Sequence, residues 1–177
     1  KQLQLYQLSK SYPPEAAIPS ELKRLQINGH PVLYHTSRNT DVRDITEREL
    51  QKNNLLPLSN TIGPDGGYPS RFTHSQAPME QRPVSFQNGI YMTAGQDKGV
   101  WLEQLFNKTN TLPKHVVFVD DEVKNLQNVE RAFVGKIPTT LCRYGYMDSV
   151  VDAFNKSDKK VEIDLWNKFV QIINKFN

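Results

Sequence analysis

Two adjacent aspartates, Asp120 and Asp121, end the apolar run VVFV and lead directly into the helix-like stretch EVKNLQNVERAF. Carboxylates at the end of a buried strand stand at the edge of an open α/β sheet where ligands bind. Two ionised carboxylates about 4 Å apart repel by about 1 to 4 kcal/mol between the dielectrics of water and of a protein surface. A cation between them relieves that repulsion, whereas a helix cap needs only one aspartate. Lys98 opens the run KGVWLEQLF, a helix start where the macrodipole favours an anion over a lysine. Thr36 ends the short run PVLYH. A hydroxyl, an ammonium and paired carboxylates are together what a phosphoryl group and Mg2+ require, since Mg2+ takes oxygen ligands and lysine neutralises phosphoryl charge.

The elements that carry these residues follow from periodicity and punctuation. A Pro-rich link, YPPEAAIP, leads to Ser20, a candidate cap for a short helix that exits at Asn28 and Gly29. PVLYHTS is strand-like, and Thr40 is the candidate cap of a helix that turns through Val42, Ile45 and Leu50. GIYMTAG is a further strand, and Asp97 the candidate cap of the helix behind it. HVVFVD, the helix to Gly135 and the short strand PTTLCRY continue the alternation, and an amphipathic helix with Leu165, Trp166 and Phe169 on its core face ends the chain. Repeated strand-then-helix units imply an α/β fold, a parallel sheet with helices on both faces, and gather Thr36, Lys98, Asp120 and Asp121 at one edge. Residues 53–88 break the pattern with TIGPDGGYPS and SQAPMEQRP, a long loop insertion expected to act as a lid or a substrate-facing excursion.

Composition bounds the function classes. The 177 residues, 37% hydrophobic and 23% charged, are sufficient for one globular domain. A net charge of +3, dispersed along the chain, offers no basic tract for nucleic acid. The single cysteine, Cys142, excludes an internal disulfide and a cysteine-built zinc site. There is no apolar run long enough for membrane insertion. Neither G-x-G-x-x-G nor a P-loop occurs. His35 is expected to pack or bond locally, because no nucleophile motif accompanies it. The compartment stays open, and the start at Lys1 raises the expectation that the chain is the C-terminal part of a longer protein.

In that order, VLYHTSR, GQDKG and HVVFVDDEVKNL resemble the second, third and fourth motifs of the haloacid dehalogenase (HAD) superfamily, and within it an uncharacterised bacterial group. The resemblance implies a Rossmann-like core and a Mg2+-dependent phosphomonoester phosphatase. Catalytic roles would fall to Thr36 and Lys98. Thr36, Ser37, Arg38 and Lys98 would bind a small phosphorylated substrate, Asp120 and Asp121 would hold Mg2+, and Asn125 would support the acidic loop.

The departure is equally specific. The D-x-D motif that supplies the superfamily's nucleophile is absent from the sequence, so the chain by itself is expected to be inactive. The central strand that carries that motif is expected to be missing or replaced, supplied by an N-terminal segment or by a second copy. Two other readings follow: a non-catalytic binding or interaction module, and, from VVFVDDE alone, a response-regulator receiver. Too little chain follows Asp120 to complete the receiver.

Overall fold

The structure, a computed structural model, describes residues 6–8, 10–65, 67, 68 and 82–175. It divides into two units, Ser11–Tyr144 and a second made of Lys1–Lys10 with Gly145–Asn177. The larger unit has an α/β fold. In chain order it contains α1 (Ile18–Ile27), β1 (Tyr34–Thr36), a 3-10 turn (Thr40–Val42), α2 (Arg43–Lys52), β2 (Ser85–Gln87) and β3 (Ile90–Met92). It continues with α3 (Lys98–Thr109), β4 (Val116–Asp120), α4 (Val123–Phe133) and β5 (Thr139–Arg143).

The strands form two sheets. The first has the order β1-β3-β2, with β1 and β3 parallel (His35 opposite Tyr91) and β2 and β3 antiparallel (Phe86 opposite Tyr91). The second is the parallel pair β4-β5, with Phe118 opposite Leu141. The hairpin strand β2 lies inside the stretch that sequence reasoning assigned wholly to a loop. Asn88 and Gly89, both at positive φ, make the tight turn back into β3.

One helix joins the two sheets. Trp101 and Leu105 of α3 pack with Val84, Phe86 and Tyr91 of the first sheet. Leu102 and Phe106, one position further round the same helix, pack with Val116, Phe118, Leu126, Val129 and Phe133 beside the second. Two apolar stripes on one helix thus fix where its first residue, Lys98, stands between the sheets. Gly99 makes the approach possible: a Cβ there would lie 2.0 Å from the carbonyl oxygen of Asn128 in α4.

Several expectations about helix ends and faces need correction. α1 begins at Ile18, ahead of Ser20, whose hydroxyl donates to the Ala17 carbonyl instead of capping. Asn39, not Thr40, caps the turn before α2, accepting from the Asp41 amide. β4 is one-sided: Val116, Phe118 and Asp120 are buried, while Val117 and Val119 are 64% and 56% exposed. Asp97 does cap α3, accepting from the Val100 amide at 3.0 Å.

In the smaller unit, α5 (Asp148–Lys156) precedes α6 (Lys160–Asn174). The terminal helix forms as its periodicity requires, yet no residue of either helix is buried, and Leu165 and Trp166 face solvent. No helix among the described residues is long and apolar enough to cross a membrane.

Candidate functional site

A buried ion pair marks the edge where β1 and β4 end. Lys98 Nζ lies 2.6 Å from Asp120 Oδ2, with the two side chains 8% and 5% exposed. The ammonium also donates to the His35 carbonyl of β1 at 3.2 Å. The other oxygen of Asp120 accepts from the Glu122 amide and from Asn125 Nδ2, each at 2.9 Å. Burial raises the Asp120 carboxyl pKa. The bonds from Lys98, Asn125 and the Glu122 amide outweigh it and hold the group below the usual carboxylate range.

The two aspartates therefore do different things. Asp120 turns inward to Lys98 and Asp121 outward to solvent, because side chains alternate across a strand end. The cation that relieves Asp120 is the lysine. Asp121 does not cap α4 either: Glu122 is the cap residue, with no side-chain bond. No group of three or more His, Cys, Asp or Glu residues suited to a metal ion occurs among the described residues.

Thr36 stands beside this pair. Its Oγ1 accepts from the Arg38 amide at 3.2 Å, which leaves the hydroxyl proton for another acceptor, and its carbonyl accepts from the Thr93 amide and hydroxyl. Ser37 is exposed. Arg38 reaches back toward α2, where Nη1 donates to the Thr46 hydroxyl at 3.0 Å. Tyr68 of the long insertion donates to the Lys108 carbonyl, ten residues along α3 from Lys98 and so about 15 Å distant. Residue 66 and residues 69–81 of that insertion, the expected lid, lie outside the described residues.

His35 completes the layer under α3. Its ring packs 5.1 Å from that of Tyr91 and 6.2 Å from that of Phe118, and both ring nitrogens are buried with no hydrogen-bond partner among the described residues. Burial, with the Lys98 charge nearby, pulls its pKa down to about 3, so the imidazole is neutral near pH 7. A depressed histidine pKa destabilises in acid: the unfolded chain takes up a proton below its ordinary pKa of about 6.5, which the folded chain takes up only near its own pKa. Stability is accordingly expected to fall by about 1 kcal/mol per pH unit between roughly pH 6 and pH 4. Urea unfolding of wild type and His35→Phe across that range checks this; equal slopes would remove His35 as the cause.

Between β1 and β4 the two sheets do not pair. Tyr34 and Thr36 direct their backbone bonds to β3, leaving His35 facing the other way. Val116 and Asp120 bond toward β5, so Val117 and Val119 present their amides and carbonyls at the opposite edge. The Lys98 side chain bonds to both edges, and the rings of His35 and Phe118 meet beside it. Two depressions, of about 500 and 480 Å3, lie elsewhere, one around Ile137 and Pro138 before β5 and one around Leu58 and Gly89 before β3.

These features define an α/β protein with a lysine–carboxylate centre at the C-terminal edge of its strands. The chain belongs to the family described as "Protein of unknown function (DUF2608)", whose model matches residues 1–176. No curated protein and no solved structure matches it. The HAD resemblance is thereby corrected: the family found over the whole chain is a different one, and no HAD family matches. The misleading signal has a physical origin. A hydroxyl after one strand, a lysine opening a helix and an aspartate ending another strand are positions that any such sheet brings to its C-terminal edge.

Proposed function

We propose that the centre formed by Thr36, Lys98 and Asp120 binds a small phosphorylated ligand together with Mg2+, as the phosphate-binding part of a phosphomonoester hydrolase that lacks its nucleophile. The observation that carries this reading is the buried ammonium of Lys98, bonded to Asp120 and to the carbonyl of His35, the residue before Thr36, at the edge where ligands of α/β sheets bind. Held by one carboxylate and the His35 carbonyl, the ammonium keeps one further N–H for an anionic oxygen.

The donor set fits Mg2+ only jointly with the ligand. Asp120 Oδ1 accepts two bonds and Oδ2 one, which leaves a lone pair on Oδ2, with the exposed Asp121 as a second oxygen source. Mg2+ is commonly held by one or two carboxylates plus substrate phosphate and water. Asp120 would hold the ion through Oδ2 with phosphate and water completing its shell, Asp121 reaching it only through water, and the ion would neutralise phosphoryl charge.

A second reading, a binding module without catalysis, is favoured by a specific observation. Asp120 is engaged on both oxygens, and His35 is buried and held neutral, so neither is set up as nucleophile or base. A strand lodged between the edges of β1 and β4, from another segment or a second copy, would decide between the two readings by what it brings.

Isothermal titration of the 177-residue chain with inorganic phosphate, with and without Mg2+, tests the proposal. Binding that strengthens at least about tenfold with Mg2+ is expected, together with no hydrolysis of p-nitrophenyl phosphate. Absence of phosphate binding in saturating Mg2+ would sink the phosphate reading, and turnover would sink the claim that the nucleophile is lacking.

A further inference from the structure

Beyond the phosphate centre, we infer that Arg82 forms a second anion subsite, so that the ligand carries a second acidic group besides its phosphate. This rests on the phosphate reading above and adds the substrate class to it.

The placement follows from the sheet. β3 lies between β1 and β2, and β2 runs antiparallel to it, so the residues that precede β2 emerge at the edge where β1 and β3 end. Arg82 is thus on one side of the β3 exit, and Thr36 and Arg38 are on the other. Across two strand spacings their backbones are about 10 Å apart, a gap that an arginine side chain spans in large part.

Three observations hold Arg82 in place over that exit. Its amide donates to Gln96 Oε1 at 3.2 Å, and its carbonyl accepts from Gln96 Nε2 at 2.9 Å. Gln96 is itself anchored to the Thr93 carbonyl by its backbone amide at 3.0 Å and its side chain at 2.9 Å. The guanidinium lies over Gly95, where a Cβ would sit 3.7 and 3.9 Å from Nη1 and Nη2. No partner engages that guanidinium among the described residues.

The turn beneath it is unusual. Ala94 and Gly95 both adopt positive φ, 52° and 73°, and Ala94 is a buried residue for which that conformation is uncommon. The Ala94 amide donates to the Arg38 carbonyl at 3.1 Å, tying the turn to the segment that follows Thr36. Strained backbone of this kind persists where surroundings over-determine it, characteristically at ligand clamps. Here it sets the guanidinium fork of the exposed Arg82 over the exit of β3, the strand paired with the one that ends in Thr36. A planar fork suits a carboxylate or a phosphate, and those are the two sources of the second acidic group.

The test compares ethylphosphonate, 3-phosphonopropionate and ethane-1,2-diphosphonate by isothermal titration in saturating Mg2+, with wild type, Arg82→Gln and Gln96→Leu. Wild type is expected to bind at least one of the two diacids about tenfold tighter than the monoacid, and the preferred diacid identifies a carboxylate or a phosphate at the second subsite. Arg82→Gln is expected to lose that margin while its ethylphosphonate affinity stays within about twofold. Gln96→Leu, which releases the strap without touching the charge, is expected to shrink the margin. Equal wild-type binding of all three compounds, or a margin that survives Arg82→Gln, overturns the second subsite and leaves the phosphate centre standing. Failure of ethylphosphonate itself to bind overturns both.

Discussion

Lys98→Met is expected to lower the unfolding free energy by about 3 to 5 kcal/mol, the usual cost of leaving one member of a buried pair without its partner. The reason is the setting of Asp120, whose side chain is 5% exposed and whose carboxyl is held below its ordinary range with help from the ammonium. The double variant Lys98→Met/Asp120→Leu is expected to recover most of that loss, since two apolar groups of similar volume leave no uncompensated charge. It should nevertheless lose phosphate binding completely. Denaturant unfolding of both single variants and the double variant checks the coupling, and a double variant less stable than Lys98→Met would show that the pair itself, not the orphaned carboxylate, is what matters.

That experiment also carries a pH signature. A carboxyl whose folded pKa is depressed contributes stability above its unfolded pKa and loses it as pH falls through the folded value. For Asp120 the direction of the shift places the loss below the ordinary carboxylate range. It is thus separated from the His35 effect, which begins at a higher pH, near the unfolded imidazole pKa.

Gly99→Ala is expected to destabilise the fold by about 3 kcal/mol or more, the upper end of overpacking costs, although alanine is intrinsically the better helix former. The added methyl would meet the Asn128 carbonyl oxygen at 2.0 Å and its carbon at 2.5 Å, and backbone cannot step aside as a flexible side chain can. Because Gly99 adjoins Lys98, moving the start of α3 off α4 would also pull the ammonium away from Asp120. Weakened phosphate binding should therefore accompany the lower unfolding midpoint. A Gly99→Ala protein as stable as wild type would mean that the two helices do not meet as closely as this geometry has them.

The elements were more legible than their partners. Asp97 as the cap of α3, the strand ending at Asp120 and the helix after it all follow from local pattern, because caps and periodicity act within a few residues. β2 was hidden for the opposite reason: three residues, Ser85–Gln87, become a strand only by pairing with β3 across Asn88 and Gly89, and the flanking Gly- and Pro-rich text reads as loop. Asn39 displaced Thr40 as a cap because either side chain can fill that role and the backbone of the turn selects one.

The site divides along the same line. Residue types and order alone brought Thr36, Lys98 and Asp120 to one edge of an α/β sheet, since strand direction and helix connection leave few other arrangements. Only the tertiary structure decided that Lys98 meets Asp120 directly, that Asp121 faces away, and that Arg38 turns toward Thr46 while Arg82 lies across Gly95. Arg82 had one sequence signal, a cation at the end of an insertion just before a strand, too common to single out. Long-range side-chain pairing depends on how two helices and two sheets stack, and Gly99 and the double apolar stripe of α3 set that stacking through contacts that no window of neighbouring residues contains.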